Sequence, residues 1–298
     1  MRTAHLAPIA AWLLAAGPTV LAQAEAPPPK ASAPPAAARP SSPVPARPAA
    51  RPTKDSLTAI RERGTLVACV APQAPWAIQL DEGQFAGFSI DVAKQLAEDL
   101  GVGITFVPTD FTSLIQALAE GDCDVIPGGL SPTPERALFA HFSDPLARHG
   151  IGVLAEKQAA SGWKSPADLD RPEVKVGAVA GTAELLDARR VFPKASIVEV
   201  PNWNALGEGL LGGKIQAAVA SDPLPDLGVK LEPQRLCVPF AEPLGTRGES
   251  LVVRRGDLEF LAYLNTWVYA RRYDGWLEGR REQWFERLDW VDAELSRP

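Results

Sequence analysis

Residues 87–107, GFSIDVAKQLAEDLGVGITFV, contain an amphipathic helix that is followed at once by a strand. Within residues 89–100 apolar side chains recur at helical spacing, and Gly101 is a typical helix end. Residues 104–107 are β-rich and apolar, and residues 65–70 form a similar run before the helix. The order strand, helix, strand predicts a βαβ unit with a parallel sheet.

The same alternation continues toward the C-terminus and then starts again. Residues 111–119 predict a second helix and residues 123–126 a third buried strand, which completes a βαβαβ unit. A second α/β unit follows, with strands and helices alternating over 174–179, 183–191, 196–200, 204–211 and 217–220. A strand at 251–253 and helices from Leu258 onward end the chain. Two α/β units whose strand ends carry polar groups predict a binding cleft between them.

The N-terminal segment has the composition of an export signal and a tether. Residues 1–24 combine a short basic start, an apolar stretch and the small-x-small sequence Ala22-Gln23-Ala24, which predicts a secretory signal peptide. Residues 25–56 are rich in proline and alanine, which favour an extended, semi-rigid linker. We therefore expect an exported protein, with an uncleaved signal that tethers it as the alternative.

Charge and composition exclude several functional classes. The chain has a formal net charge of −6, and its basic N-terminal segment leaves the globular part more acidic still, which opposes nucleic-acid binding. Three cysteines and three histidines show no spacing typical of a metal site. The G-x-S-x-G, H-E-x-x-H and Walker motifs are absent. The sequence therefore predicts no metal, no cofactor and no catalytic residue.

Residues 128–136, GGLSPTPER, follow the third predicted strand and predict an anion site. Thr133 and Pro134 are a typical N-cap and first helical residue, which places Arg136 near the third position of the helix. The start of a helix already favours an anion, and a guanidinium binds a carboxylate through two parallel hydrogen bonds. A capped surface helix with an incidental arginine is the alternative.

Other residues at strand ends would complete such a site. Thr182 lies between a strand and a helix, and Asp222 follows an apolar strand, where a carboxylate suits an ammonium group. Together, Arg136 and Asp222 would bind the two ends of a zwitterion. Phe111 and Trp76 would supply apolar walls. Ordinary turns and core packing are the alternatives for these residues.

Two further features have simpler interpretations. Glu184 can act as a general acid beside a buried ligand, but a glutamate in the first turn of a helix is also what the helix dipole favours. We prefer the second interpretation. Four tryptophans near the C-terminus are interpreted as packing residues of the terminal helices: Trp267, Trp276, Trp284 and Trp290.

In combination, these motifs resemble the family 3 extracellular solute-binding proteins, the amino-acid receptors of ABC importers. The matching segments span residues 58–287 in order: Gly87–Val92, Ser131–Arg136, Phe142–Pro145, Gly181–Glu184, Val219–Asp222 and Trp267 to Phe285. The resemblance implies the type II periplasmic-binding-protein fold, with two α/β lobes, each a mainly parallel sheet flanked by helices. We expect lobe 1 to comprise residues 57–152 and 240–298, and lobe 2 residues 153–239.

The resemblance also implies a set of ligand-binding residues. In family members the matching Ser, Thr and Arg side chains hold the ligand carboxylate, the Asp meets the ammonium group, and an aromatic residue packs on the ligand side chain. Transferred to this chain, the set comprises Trp76, Phe111, Gly129, Ser131, Thr133, Arg136, Thr182 and Asp222.

The chain also departs from the family pattern. Ser89 replaces an acidic residue of the signature, and Leu146 stands where an aromatic residue often follows Ser-Asp-Pro. The resemblance therefore implies the carboxylate clamp but not the ligand side chain. It also implies a disulfide between Cys69 and Cys123, which resembles a pairing in the quinoprotein-dehydrogenase-associated branch of the superfamily.

The implied function is that of a receptor without enzymatic activity. We expect a periplasmic monomer that captures an amino acid or related small carboxylate and delivers it to a membrane ABC permease. One alternative is an enzyme similar to the cyclohexadienyl dehydratases, with Glu184 as its acid. The other is a sensory or dehydrogenase-associated binding module on a long tether.

Overall fold

The computed structural model describes residues 55–80, 84–288 and 290–291. The predicted signal peptide, residues 1–24, and nearly all of the predicted linker, residues 25–56, lie outside the described residues. The linker ends earlier than predicted, because Asp55 caps the first helix: its Oδ1 accepts a hydrogen bond from the backbone N of Thr58 at 2.8 Å.

The described chain alternates strands and helices. The helices are α1 (Ser56–Arg63), α2 (Phe88–Leu100), α3 (Leu114–Glu120), α4 (Pro134–Ala137), α5 (Ala183–Val191), α6 (Trp203–Leu211), α7 (Leu224–Leu231), α8 (Leu258–Tyr273) and α9 (Trp276–Arg281). The strands are β1 (Thr65–Val70), β2 (Ile78–Gln79), β3 (Phe85–Ala86), β4 (Gly103–Pro108), β5 (Ala140–Glu156), β6 (Lys175–Val179), β7 (Ser196–Val200), β8 (Ala217–Ser221), β9 (Leu236–Cys237) and β10 (Gly245–Arg254).

The first α/β unit is built on the predicted βαβ arrangement. Strands β1 and β4 pair in parallel, with Leu66 opposite Ile104, and α2 connects them across one face. Gly101 ends α2 in the left-handed conformation at φ 69°, as its position in the sequence predicts.

The third strand predicted at 123–126 is wrong as a continuous element. Val125 and Ile126 form only isolated bridges, to Ala68 and Val252. The side chain of Asp124 takes one position in the pairing of this segment with β1, because its Oδ2 accepts a hydrogen bond from the backbone N of Val67 at 2.9 Å. The chain then turns at two glycines with positive φ, so no strand continues.

The second sheet has six strands in the order β10-β5-β8-β6-β7, with β9 beside β5. Strands β6, β7 and β8 pair in parallel as predicted, whereas β5 is antiparallel to both β8 and β10, so the sheet is mixed. With its 17 residues, β5 is long enough to pair with β10 at its start and with β8 at its end. Strands β5 and β10 therefore run between the two units.

Several hydrophobic clusters support the two units, and one of them also includes Leu224 and Leu227 of the second unit. One core contains Phe88, Leu96 and Phe260 together with Trp267, Trp284 and Trp290. The indole nitrogens of Trp267 and Trp284 donate to Asp99 and Asp91 at 2.6 and 2.8 Å, so these tryptophans pack the terminal helices as predicted. Another core surrounds β6 and α5, with Val176, Phe192 and Val219 at its centre.

A disulfide lies inside the first unit. It joins Cys69 near the end of β1 to Cys123, with 5.6 Å between their Cα atoms and a sequence separation of 54. Such a bond stabilises the fold mainly by restricting the unfolded chain. Cys237 is free, and burial raises the pKa of its thiol. Within the described residues, no helix combines the length and apolar character that crossing a membrane requires.

Candidate functional site

A narrow cleft lies where the two α/β units meet. Its empty space is about 320 Å³, including the part that opens to solvent. Five residues of the predicted set line it, namely Trp76, Phe111, Gly129, Ser131 and Arg136. The other lining residues were not in the predicted set: Gln73, His149, Ala183, Glu184, Trp203 and Ser221.

Arg136 is held in the cleft by the helix start that the sequence predicts. Thr133 Oγ1 accepts a hydrogen bond from the backbone N of Arg136 at 3.2 Å, which caps α4 and places Arg136 at its third residue. The guanidinium donates through Nη1 to Ser131 O at 2.6 Å and through Nη2 to Gly181 O at 2.8 Å. Ser131 belongs to the first unit and Gly181 to the second, so Arg136 connects the two sides of the cleft.

Arg136 interacts electrostatically with Glu184 but has no ion-pair partner among the described residues. Among the described residues, no ion pair within 4.0 Å reaches its guanidinium, which faces the ring of Phe111 at 5.7 Å from Cζ to the ring centroid. Burial lowers the pKa of Arg136, and Glu184 opposes this effect, but an arginine stays protonated in proteins. Arg136 is therefore a half-buried cation whose hydrogen-bond partners are two neutral carbonyl groups.

Thr133 and Thr182 position their neighbours and do not line the cleft. Both threonines are buried, and each caps a helix through its hydroxyl oxygen. The hydroxyl of Thr182 accepts from Leu185 N at 3.2 Å and donates to Val179 O at 2.7 Å. In this structure both hydroxyl groups already have hydrogen-bond partners in the backbone. These hydrogen bonds fix the starts of α4 and α5.

Glu184 is the carboxylate that faces the cleft. It follows the Thr182 cap at the second residue of α5, it is 8% exposed, and it accepts a hydrogen bond from the hydroxyl of Ser221. The helix-dipole interpretation of Glu184 is therefore incomplete, because the side chain lies in the same cleft as Arg136. The cleft thus contains one cation and one carboxylate on opposite units.

Asp222 does not line this cleft, so the structure does not bring it together with Arg136. Its Oδ2 accepts a hydrogen bond from Gly150 N at 3.0 Å, and it lines an adjoining hollow beside Arg148 and Arg281 that shares His149 with the cleft. Ser221 is the last residue of β8 and lines the cleft, whereas Asp222 follows the strand and its carboxylate lies against Gly150. Burial raises the pKa of Asp222.

The close contact between Asp222 and Gly150 predicts the effect of a substitution. A Cβ atom at Gly150 would lie 2.4 Å from Asp222 Oδ2 and 3.1 Å from Pro243 Cβ. We expect Gly150→Ala to lower the free energy of unfolding by about 1 to 3 kcal/mol, measured by urea denaturation. Gly245→Ala is the matched control in the neighbouring strand, where the nearest atom would lie 3.8 Å away. Equal stabilities of the two variants would contradict this contact.

Glu249 does not line the cleft but binds two residues of its wall. Its Oε2 accepts hydrogen bonds from Trp76 Nε1 at 2.8 Å and from Gly129 N at 2.6 Å, so it holds two residues of the cleft wall. The side chain is fully buried, and Oε1 has no hydrogen-bond donor among the described residues. Burial raises the pKa of Glu249 to about 7, and the two hydrogen bonds oppose that shift.

His149 is a further cleft residue that sequence reasoning missed. It lies on β5 and is 9% exposed, with its ring 6.0 Å from that of Trp76 and stacked on that of Phe285 at 6.4 Å. Burial lowers the pKa of His149, and Glu184 opposes this. The only sequence signal for His149 and Glu249 is an ionisable residue inside a strand, which is uncommon unless the residue is partnered.

A family model and individual relatives match the chain. The model of the bacterial extracellular solute-binding proteins, family 3, matches residues 66–287. The chain is 28% identical over 231 residues to cyclohexadienyl dehydratase of Pseudomonas aeruginosa. This alignment covers 77% of this chain and 86% of that protein. It is 26% identical over 230 residues to the L-cystine-binding protein TcyJ of Escherichia coli, with 77% and 85% covered.

Solved structures agree with these matches. The ancestral amino acid-binding protein AncCDT-1, a precursor of cyclohexadienyl dehydratase, superimposes with a TM-score of 0.70 at 33% identity and covers 78% of this chain and 100% of that chain. An ABC-transporter binding component from Wolinella succinogenes in complex with lysine has a TM-score of 0.72 at 27% identity, with 77% and 99% covered. The protein thus has the two-lobed α/β fold of solute-binding proteins, and the chain belongs to family 3 of the bacterial extracellular solute-binding proteins.

Proposed function

We propose that this protein is an exported receptor that binds an amino acid or related small carboxylate in the cleft. The observation that carries the proposal is Arg136, a half-buried guanidinium that connects the two units and has no ion-pair partner among the described residues. A partly desolvated cation is stabilised when an anion pairs with it, and a ligand carboxylate would be that anion. The L-cystine-binding and lysine-bound relatives support an amino acid as the ligand.

Glu184 would meet the other end of an amino acid. It lies in the same cleft on the opposite unit, and Ser221 donates a hydrogen bond to it. The ligand would bridge the two units through Arg136 and Glu184 and so shift an equilibrium between open and closed forms. In this proposal Glu184 takes the role that the sequence had assigned to Asp222.

The cellular setting is part of the same proposal. A periplasmic monomer would present the closed, loaded form to a membrane ABC permease, and β5 with β10 would form the hinge between lobe 1 and lobe 2. Residues 57–152 with 240–298 and residues 153–239 are the proposed extents of the lobes. The family to which the chain belongs supports this setting.

The direct test is titration calorimetry of the purified protein against the common amino acids and small carboxylates. We expect saturable binding of at least one α-amino acid, with affinity in the micromolar range or tighter and with one ligand per chain. Affinity that is equal for an amino acid and for its amide would contradict the proposal, because the amide lacks the carboxylate that Arg136 is proposed to bind.

A dehydratase is the second candidate, and one observation favours it. Glu184 is a buried carboxyl group that lies beside the proposed carboxylate site, as a general acid for a leaving hydroxyl would. In such a reaction Glu184 would transfer its proton to the departing oxygen as the C–O bond breaks, the oxygen would leave as water, and the electron pair of the bond between the ring and its carboxylate would form the new ring double bond as carbon dioxide leaves. Incubation with prephenate or arogenate tests this, and turnover that Glu184→Gln abolishes would replace the receptor proposal.

A further inference from the structure

An apolar slot adjoins the cleft and has no role in the carboxylate site. It lies between the loop after β1 and the helices α6 and α7, and its empty space is about 550 Å³, including the part open to solvent. Ala74, Ile78, Leu224 and Leu227 form much of its wall, and none of its lining residues is ionisable.

Two residues form the boundary between the slot and the cleft. Gln73 and Trp203 line both spaces, Gln73 from the first unit and Trp203 from the first turn of α6 in the second. The indole Nε1 of Trp203 is buried and has no acceptor among the described residues. A ligand bound at Arg136 would therefore lie next to the slot. Gln73 and Trp203 would separate the two, and Trp203 Nε1 would be available to donate a hydrogen bond to the ligand.

The chemistry of the slot selects the part of a ligand that can enter it. Burying each methylene group contributes about 0.8 kcal/mol, whereas an ammonium or guanidinium group loses its hydration and finds no carboxylate there. A third space shares Gln73 and Trp203 with the cleft and is also lined by the exposed Asp110. A cationic side chain would go to that space, where an exposed ion pair contributes little.

We infer that the ligand is a carboxylate with an uncharged apolar tail, aliphatic or aromatic, and that the tail occupies the slot behind Gln73 and Trp203. The inference rests on the proposed function, because it takes the ligand carboxylate to lie at Arg136. It adds the class of the ligand side chain, which the resemblance to the family does not supply.

The test is a series of straight-chain α-amino acids, from alanine through norvaline and norleucine to 2-aminooctanoate, with lysine and arginine beside them. We expect the affinity to rise about fourfold per added methylene until the slot is filled. The longer apolar members should bind more tightly than lysine and arginine. An affinity that does not rise with chain length, or tighter binding of the cationic pair, would overturn the inference.

A variant pair locates the effect in the slot. Leu231 is a half-buried slot residue, so Leu231→Phe should narrow the slot, weaken binding of 2-aminooctanoate at least about tenfold and leave alanine binding unchanged. Leu186→Phe on α5, at an exposed leucine, is the matched control. Equal loss for alanine and 2-aminooctanoate, or no loss for either, would contradict the slot. If only short or cationic amino acids bind, the receptor proposal survives without the slot, and if no carboxylate binds, both proposals fail.

Discussion

Replacement of Arg136 by alanine is expected to weaken ligand binding by at least about 100-fold, which corresponds to roughly 3 kcal/mol or more. Among the described residues that line the cleft, Arg136 and His149 are the basic side chains, and Arg136 is the one that stays charged. Without the guanidinium, a bound carboxylate would be buried without a partner. Titration calorimetry with the tightest-binding amino acid measures the loss.

Two control variants separate charge from geometry. Arg136→Lys keeps the positive charge but removes the planar fork, so we expect an intermediate loss of affinity. Arg171→Ala removes an arginine that is half exposed and does not line the cleft, and should leave binding unchanged. Binding by Arg136→Ala within about threefold of the unsubstituted protein would show that the carboxylate does not lie there.

The second large effect concerns Glu249 and pH. Its pKa is about 7 in the folded protein and near 4.5 in the unfolded chain, so between these values the folded state holds a proton that the unfolded state has released. The free energy of unfolding therefore falls as pH rises through this window. Over the full window the loss is about 3 kcal/mol, because each pKa unit corresponds to about 1.4 kcal/mol.

Glu249→Gln should remove this pH dependence. The glutamine oxygen can still accept the hydrogen bonds from Trp76 and Gly129, and the side chain stays neutral at every pH in the window. We expect the variant to match the unsubstituted protein near pH 4, below both pKa values of Glu249, and to exceed its stability by about 3 kcal/mol near pH 8, measured by urea denaturation.

The difference between the two proteins is the relevant quantity, since His149 and other groups titrate equally in both. Glu173→Gln, at a largely exposed glutamate, is the matched control and should show no pH-dependent difference. Parallel curves for Glu249→Gln and the unsubstituted protein would mean that Glu249 does not titrate in this window.

Elements with strong local patterns were predicted well. The helix over 183–191 and the strand over 196–200 have the predicted bounds, because capping residues and apolar spacing are local properties of the chain. The strand predicted at 123–126 was wrong as a continuous element, because the side chain of Asp124 takes one position in the backbone pairing: Val67 N donates to Asp124 Oδ2, although Asp124 N still donates to Val67 O. An apolar run does not reveal that a single side chain will compete with its backbone.

The sequence by itself determined the two α/β units and the position of Arg136 on a helix capped by Thr133. Only the tertiary structure decided which carboxylate shares the cleft with Arg136. That choice depends on which side chain at the end of β8 points into the cleft. This side chain is Ser221, and its hydrogen-bond partner Glu184 lies 37 residues away in the sequence. The tertiary structure also decided the role of Glu249, which is separated by 173 residues from Trp76 and by 120 from Gly129. Burial and hydrogen bonding over such separations arise from the packing of distant elements, and no local pattern of residues contains them.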